Sequence, residues 1–398
     1  MTTSHRICIL GGGFGGLYTA LKLQNYPWSR VGQPQITLID QNERFVFLPF
    51  LYELLTNEMQ LWEIAPTFEQ LLAKSSVHKT ADVQFMRDEV TAIDPDSKQI
   101  TLKKNGSLDC DRLVLALGGE TPLDTVPGAA EHATTFRSLD DVTKLKEKLY
   151  QLELQVNKNI RVVVVGAGPS GVELSCKLSD RLGKRGNICL VDRNDAILKT
   201  SSDFNRQAAI KALGDRNVTL KLNTNVQEVS EDAITLSETS APLPADLVLW
   251  TIGNAMPTVI QSLNLPKNER GQILTEPTLQ VQDFPELYAI GDLAAGQDVS
   301  QQPIPKTAQA AFQAADYLAW NIWASLTGRS LRSFRYSHLG EMLTLGKDEA
   351  ALAGLGLTLD GPLANLARRA VYLYRFPTPE HQLNVGLQWI LKPFQPVS

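Results

Sequence analysis

The chain carries the same folding constraint twice: an apolar strand that runs into a turn of small residues and directly on into a helix. The first copy is RICILGGGFGGLYTALKL at residues 6–23, and the second is RVVVVGAGPSGVELSCKL at residues 161–178. In each, the first glycine (Gly11, Gly166) permits a tight turn, and the second (Gly13, Gly168) lets backbone N–H groups approach a pyrophosphate. The third (Gly16, Gly171) lets the helix pack on the strand. Phe14 and Gly15 complete the first turn, Pro169 and Ser170 the second. The helix N-terminus then offers free donors and partial positive charge to phosphates. A further apolar strand follows each turn and ends in an acid placed to accept from ribose hydroxyls: residues 36–39 before Asp40, and residues 188–191 before Asp192. One such glycine pattern is weak, because glycines also punctuate ordinary loops, but strand, helix and downstream acid accompany both copies. The expected fold is α/β, with two Rossmann-like domains holding two dinucleotides.

Length and charge narrow the choice further. At 398 residues the chain has room for two or three domains. Its formal charge of −5, with no basic block, argues against a nucleic-acid partner. The start, MTTSHR, has no apolar signal region or Arg/Ser-rich presequence, and no run of about 18 apolar residues occurs. The reading is a protein without signal or transit peptide, kept on the cytoplasmic side and without a membrane-spanning helix. Cys8, Cys110, Cys176 and Cys189 lie far apart, three in apparent strands and one in a helix, which argues against a redox-active disulfide. His5, His78, His132, His338 and His381 are scattered singly, so no metal site is expected.

A third segment breaks the symmetry of the two turns. DFPELYAIGDL (283–293), ending in Gly291 and Asp292, resembles the second FAD fingerprint of the glutathione-reductase-like flavoproteins. The resemblance implies that Asp292 binds the ribityl chain and that the first turn belongs to FAD. DRLVLALGG (111–119, with Gly118) and ADLVLWTIGN (245–254, with Gly253) resemble that family's paired crossovers, which implies an inserted NAD(P)H-binding domain. The expected boundaries are 1–124 and 253–330 for the two parts of the FAD-binding domain, 125–252 for the insertion, and 331–398 for a C-terminal membrane-association region. Ser138 to Asp141 reads as a helix cap, with Val142, Leu145, Leu149 and Leu152 following at helical spacing. Asp192 favours NADH, since a carboxylate repels a 2′-phosphate. Arg193 can pair with that phosphate and keeps NADPH open, or is simply a solvated surface residue.

The acceptor is read from what the flavin-side segment lacks. NERFVFLPFLYELLTNEM (42–59) has no cysteine where disulfide reductases carry a pair. Over nearly its whole length the chain resembles the type II NAD(P)H:quinone oxidoreductases, in GGGFGG (11–16), FLPFLYELLTNEM (47–59), GAGPSGVEL (166–174), LVLWTIGN (247–254) and PKTAQAAFQAADYLAWNI (305–322). FLYELLTNEM and YSHLGEMLTLGKDEA (336–350) are similar to the cyanobacterial and plastid branch, linked to demethylphylloquinone reduction in vitamin K1 synthesis. The resemblance implies transfer of hydride from NAD(P)H to FAD, then of two electrons to a membrane quinone, a naphthoquinone or a plastoquinone-like molecule, without proton pumping. It places Gln309 and Gln313 at the border of the quinone site. It also makes Glu173 the acid near the nicotinamide, although a first-turn Glu favoured by the helix dipole is the plain alternative. Pro49, Phe50 and Tyr52 would shape the pocket or serve as core. A helix beginning near Pro305 would aim its N-terminus at the flavin's pyrimidine edge, with Lys306 adding charge. Two rival readings are an NAD(P)H reductase of a small iron–sulfur protein and a redox-sensing flavoprotein that switches partner binding.

The C-terminal stretch is amphipathic. Leu363, Leu366, Ala367, Ala370, Val371 and Tyr374 recur at helical spacing, with Arg368, Arg369 and Arg375 largely opposite. Leu383, Leu387, Ile390, Leu391 and Phe394 repeat the pattern beside Trp389 and Lys392. Such a tail suits a peripheral membrane surface, and packing on the FAD-binding domain or in a homodimer is the competing use.

Overall fold

The computed structural model describes residues 5–28, 32–73, 79–156, 158–237 and 241–391. Arg6–Leu10 lies between Gln35–Asp40 and Arg112–Leu115, parallel to both. Val83–Arg87 extends this sheet on one side and Phe284–Ala289 on the other, again in parallel. The strands are near-continuous runs of Ile, Leu and Val because helices and loops cover both faces, and Ile7, Ile9 and Leu10 have no exposed surface. The second parallel sheet centres on Ile160–Val165, between Gly186–Val191 and Leu247–Trp250, with Thr219–Lys221 and Ala133–Thr135 at its edges.

The chain therefore leaves the first sheet after Leu115, builds the second, and returns to the first at Phe284. The two connections run side by side. Glu120 and Ala255 exchange both backbone hydrogen bonds at 2.8 Å, and a Cβ on Gly119 would come within 2.0 Å of Asn254 Oδ1. The expected cap is present: Ser138 accepts from the Asp141 N–H at 3.1 Å and opens the helix Leu139–Glu153, which buries Val142, Leu145 and Leu149.

Three expectations need correction. The long helix is Ala308–Thr327 and does not begin near Pro305; Thr307 caps it, its hydroxyl accepting from the Ala310 N–H at 3.2 Å. Cys110 precedes the strand Arg112–Leu115 and is not part of it, and all four cysteines are buried. The C-terminal region is also more than helical. An antiparallel sheet of Glu341–Thr344, Ala350–Gly354 and Leu357–Asp360 comes first and packs on the helices Pro169–Leu182 and Asp203–Asp215.

The tail helices Gly361–Arg375 and Pro379–Leu391 dock with their charged side inward. Arg368 is 1 % exposed, whereas Leu363, Leu366 and Tyr374 are about 70 % exposed or more. Arg375 lies 4.6 Å above the Phe312 ring, and its carbonyl accepts from the Tyr18 hydroxyl. The second helix is held by His381, whose Nε2 lies 2.8 Å from the Glu63 carbonyl, and by Trp389, whose indole N–H donates to Glu63 Oε1 at 2.8 Å. Leu383, Leu387, Ile390 and Leu391 point outward. Lys392 and Phe394 lie outside the described residues. Among the described residues no helix is long and apolar enough to cross a membrane.

Candidate active site

The two glycine turns have nearly the same geometry. Gly11 and Gly166 take φ of +98° and +109°, and a Cβ on Gly16 or Gly171 would fall 1.9 or 1.7 Å from the carbonyl oxygen of that first glycine. Only glycine lets the helix start this close to the strand. At Gly13 and Gly168 a Cβ would meet no protein atom within 4 Å, so the middle glycine of each turn faces open space that a pyrophosphate can enter. Gly13 and Gly168 are also the N-caps of their helices and have no side-chain cap, which leaves the first-turn N–H groups to a ligand. Phe14 packs against Phe45 and Phe47, and Gly15 is held close to Ile290. Pro169 occupies the first turn of the second helix.

The terminal acids do more than wait for ribose. Asp40 accepts from the Gly12 N–H at 2.7 Å and the Asn42 N–H at 2.8 Å; Asp192 repeats this with Ala167 at 2.6 Å and Asn194 at 2.7 Å. Each carboxylate thus clamps its own turn. Arg193 is exposed beside Asp192. Gly118, Gly253 and Gly291 all take positive φ, of +73°, +90° and +82°.

Asp292 is held by Arg137, a residue not singled out in the sequence although it directly precedes the Ser138 cap. The same guanidinium reaches Asn254 at 3.3 Å, so it joins the insertion to both returning segments. Beside it opens a cleft of about 1480 Å³ lined by Asn42, Arg44, Met59, Arg87, Arg137 and Lys146 among others. Its positive charge suits the ADP half of a dinucleotide entering from Asp40. Lys306 lies before the long helix and donates to the Ala294 carbonyl.

Glu173, the acid of the second turn, is 8 % exposed. Its Oε1 accepts from the Thr344 N–H at 3.0 Å, and its carboxyl and Ser170 both meet the Tyr52 hydroxyl. Burial pushes the carboxyl up to about 7, against the opposing pull of Arg368 and the Thr344 N–H. The Tyr52 phenol is also pushed well up by burial, so it stays protonated. Behind this pair lies a buried charge cluster with no sequence signal, its ion-paired partners more than a hundred residues apart. Lys177 pairs with Glu58 and lies 3.7 Å from Glu53, which takes Arg368 Nη1 at 2.6 Å. The cluster joins the 3₁₀ segment Leu48–Leu54, the second-turn helix and the tail.

Gln309 and Gln313 grip the main chain of residues 336–340. Gln313 donates to the Ser337 carbonyl at 2.8 Å and accepts its N–H at 3.0 Å; Gln309 donates to the Gly340 carbonyl and accepts from the Leu339 N–H and the Tyr336 hydroxyl. Among the described residues no cluster of His, Cys, Asp or Glu is arranged to hold a metal ion.

The family model described as pyridine nucleotide-disulphide oxidoreductase matches residues 5–315. The chain is 52 % identical over 394 residues to the demethylphylloquinone reductase NdbB of Synechocystis sp., covering 98 % of this chain and 96 % of that protein. It is 42 % identical over 425 residues to the chloroplastic/mitochondrial alternative NAD(P)H-ubiquinone oxidoreductase C1 of Arabidopsis thaliana, covering 97 % and 80 %. The solved structure of NDH2 from Plasmodium falciparum in complex with NADH superposes with a TM-score of 0.86 at 19 % identity, covering 98 % of both chains, which establishes the shared fold.

The turn geometry separates two glycine variants. Gly171→Ala forces a Cβ against the Gly166 carbonyl and is expected to cost about 3 kcal/mol in urea unfolding. Gly168→Ala is expected to melt like the parent and keep its flavin while raising the KM for the nicotinamide nucleotide roughly tenfold, because its Cβ enters only the phosphate space.

Proposed function

Because the chain belongs to the pyridine nucleotide-disulphide oxidoreductase family, among its type II NAD(P)H:quinone oxidoreductases, we propose that it reduces a naphthoquinone of the demethylphylloquinone kind at a membrane surface. What supports this most is the presence of two dinucleotide cradles, the second carrying a protonatable buried carboxyl, Glu173, that meets the Tyr52 hydroxyl, with no thiol in the 42–59 segment. The chain is an FAD-dependent NAD(P)H:quinone oxidoreductase. FAD, when bound, supplies the redox centre that accepts a hydride and passes on two electrons.

The protein's own residues then have assignable tasks. The Gly11–Gly16 turn, Asp40, Arg137 and Asp292 hold FAD, and the Gly166–Gly171 turn with Asp192 holds the nicotinamide nucleotide. Arg193 pairs with a 2′-phosphate where one is present. Lys306 and the N-terminus of Ala308–Thr327 favour negative charge at the flavin's pyrimidine edge. Glu173, protonated up to about pH 7, gives its proton to the quinone side with Tyr52 holding its orientation. Gln309 and Gln313 border the quinone through the 336–340 segment they fix.

The tail carries the enzyme to the bilayer that holds a long-tailed quinone. Its outward Leu363, Leu366, Leu383, Leu387 and Ile390 form the contact face, joined by Leu355 and Leu357 of the preceding hairpin. Because the arginines face inward, this contact is apolar rather than electrostatic.

The FAD-loaded protein in detergent is expected to oxidise NADH or NADPH fast only when a naphthoquinone is present. Brisk turnover with a soluble iron–sulfur protein and none with quinone would reverse the reading. Arg193→Ala should lower kcat/KM for NADPH by about tenfold and leave NADH within about twofold. The Glu173 carboxyl is raised, so its proton is present on the acid side and lost as pH rises through about 7. Quinone reduction should fall over that range, and Glu173→Gln should flatten the profile. For the same reason stability is full below the ordinary carboxyl range and declines as pH rises to about 7, a slope Glu173→Gln removes. Sedimentation with neutral phosphatidylcholine vesicles should survive raised salt and be lost in Leu363→Asp/Leu366→Asp, with turnover of a water-soluble quinone retained.

A further inference from the structure

The fold brings together two cysteines that lie far apart in the sequence. Cys8 belongs to the strand Arg6–Leu10, and Cys110 stands just before its neighbour in the sheet, Arg112–Leu115. Asp111 ties the two segments at this level: its N–H donates to the Arg6 carbonyl at 2.8 Å, and its carboxylate accepts from the Arg6 N–H at 2.7 Å. Ile7 and Ile9 face the helix Phe14–Leu23, so Cys8 turns to the other face of the sheet. There it packs in one apolar cluster with Cys110, Ile93, Ile100 and Leu113, and the two thiols share a hydrogen bond. The Lys98 carbonyl lies 3.4 Å from Cys110 Sγ. Cys176 and Cys189 pack in two other clusters, apart from each other and from this pair.

Two thiols in contact differ chemically from two buried alone. The hydrogen bond from Cys110 draws the Cys8 thiol below its ordinary value, aided by Arg6 and opposed by burial and Asp111. The same bond, with burial, pushes the Cys110 thiol up, so Cys8 is the nucleophile of the two. Burial alone raises the Cys176 thiol to about 12. A single layer separates the pair from solvent, since Gln99 and Asp109 beside it are exposed. We infer that Cys8 and Cys110 form a reversible redox pair, which a hydroperoxide oxidises to an intramolecular disulfide. The Cys8 sulfur attacks one peroxide oxygen, the O–O bond breaks, and hydroxide leaves with the electron pair. Cys110 then attacks the resulting sulfenic acid, the S–S bond forms, and the second oxygen departs as water. Two thiols and one hydrogen peroxide thus give one disulfide and two waters, and a dithiol reductant reverses the change. The disulfide closes a loop of about a hundred residues that contains the Gly11–Gly16 turn, Asp40 and Arg87, and thereby staples the flavin half of the first sheet.

The test treats the reduced, FAD-loaded full chain with hydrogen peroxide. Each cysteine is read by alkylation before and after unfolding, and by peptide mapping without reductant. The expected result is loss of two of the four thiols, a cross-linked peptide pair carrying Cys8 and Cys110, and recovery of both with dithiothreitol. Cys189 is the internal control: it is 7 % exposed against 4 % for Cys8, so oxidation governed by exposure would take it first. In Cys110→Ala, dimedone should trap a sulfenic acid at Cys8 that the parent resolves to the disulfide. Heating should release FAD from the oxidised parent at a midpoint about 5 °C or more above that of the reduced parent. The inference is overturned if Cys176 or Cys189 is consumed before Cys8, if all four thiols survive until the chain is unfolded, or if Cys8 passes to sulfinic acid while Cys110 stays reduced. A disulfide that forms and leaves the midpoint of FAD release unmoved overturns the stapling. The mapping needs only the parent, so poor folding of Cys110→Ala leaves the inference open to refutation.

Discussion

A buried charge cluster decides how the parts of this molecule meet. Lys177 comes from the second dinucleotide helix, Glu53 and Glu58 from the segment beside the flavin site, and Arg368 from the tail, and three of the four are almost wholly shielded from water. An isolated charge in such a place is strongly disfavoured, so none of these elements can withdraw without stranding its partner. A hydrophobic contact could have joined the same three segments with little preference for register. The ion pairs admit one register and thereby fix where Tyr52 and Glu173 stand relative to each other. The raised proton affinity of Glu173 follows from that placement: it is the carboxyl of the group that lacks a close cation of its own, with Arg368 acting on it only at a remove.

The central fold was legible because its constraints are local. A strand buried on both faces must be an unbroken apolar run, and a helix that begins against its own strand must have glycine there; both facts are written within eighteen residues and occur twice. The return of the chain to the first sheet was legible from Gly291 and Asp292 because a resemblance supplied what spacing alone could not. The tail resisted for the opposite reason. Periodicity separates Leu363 and Leu366 from Arg368 and Arg369, but it is silent on which side faces the protein. The side was decided by acids some three hundred residues away, Glu53 and Glu58, which pair with Arg368 and Arg369. The sheet from Glu341 to Asp360 went unseen since its three strands are four or five residues long and lack clean alternation.

Asp40 and Asp192 show a site residue doing structural work. Each carboxylate already accepts from one backbone N–H of its turn and from one just beyond itself. Removal of either acid would loosen the phosphate cradle as well as the ribose contact, which links discrimination at the ribose to the shape of the turn. Arg193 lies exposed outside this clamp, so a change there leaves the turn itself undisturbed.

Gln309 and Gln313 hold their neighbour by its main chain. The amide of Gln313 meets both the N–H and the carbonyl of Ser337, as one strand meets the next in a sheet. A grip of that kind is blind to side-chain identity. The side chains at 337, 338 and 339 can therefore be exchanged in evolution while the segment stays moored, so the surface it presents can be redrawn without rebuilding the helix that anchors it.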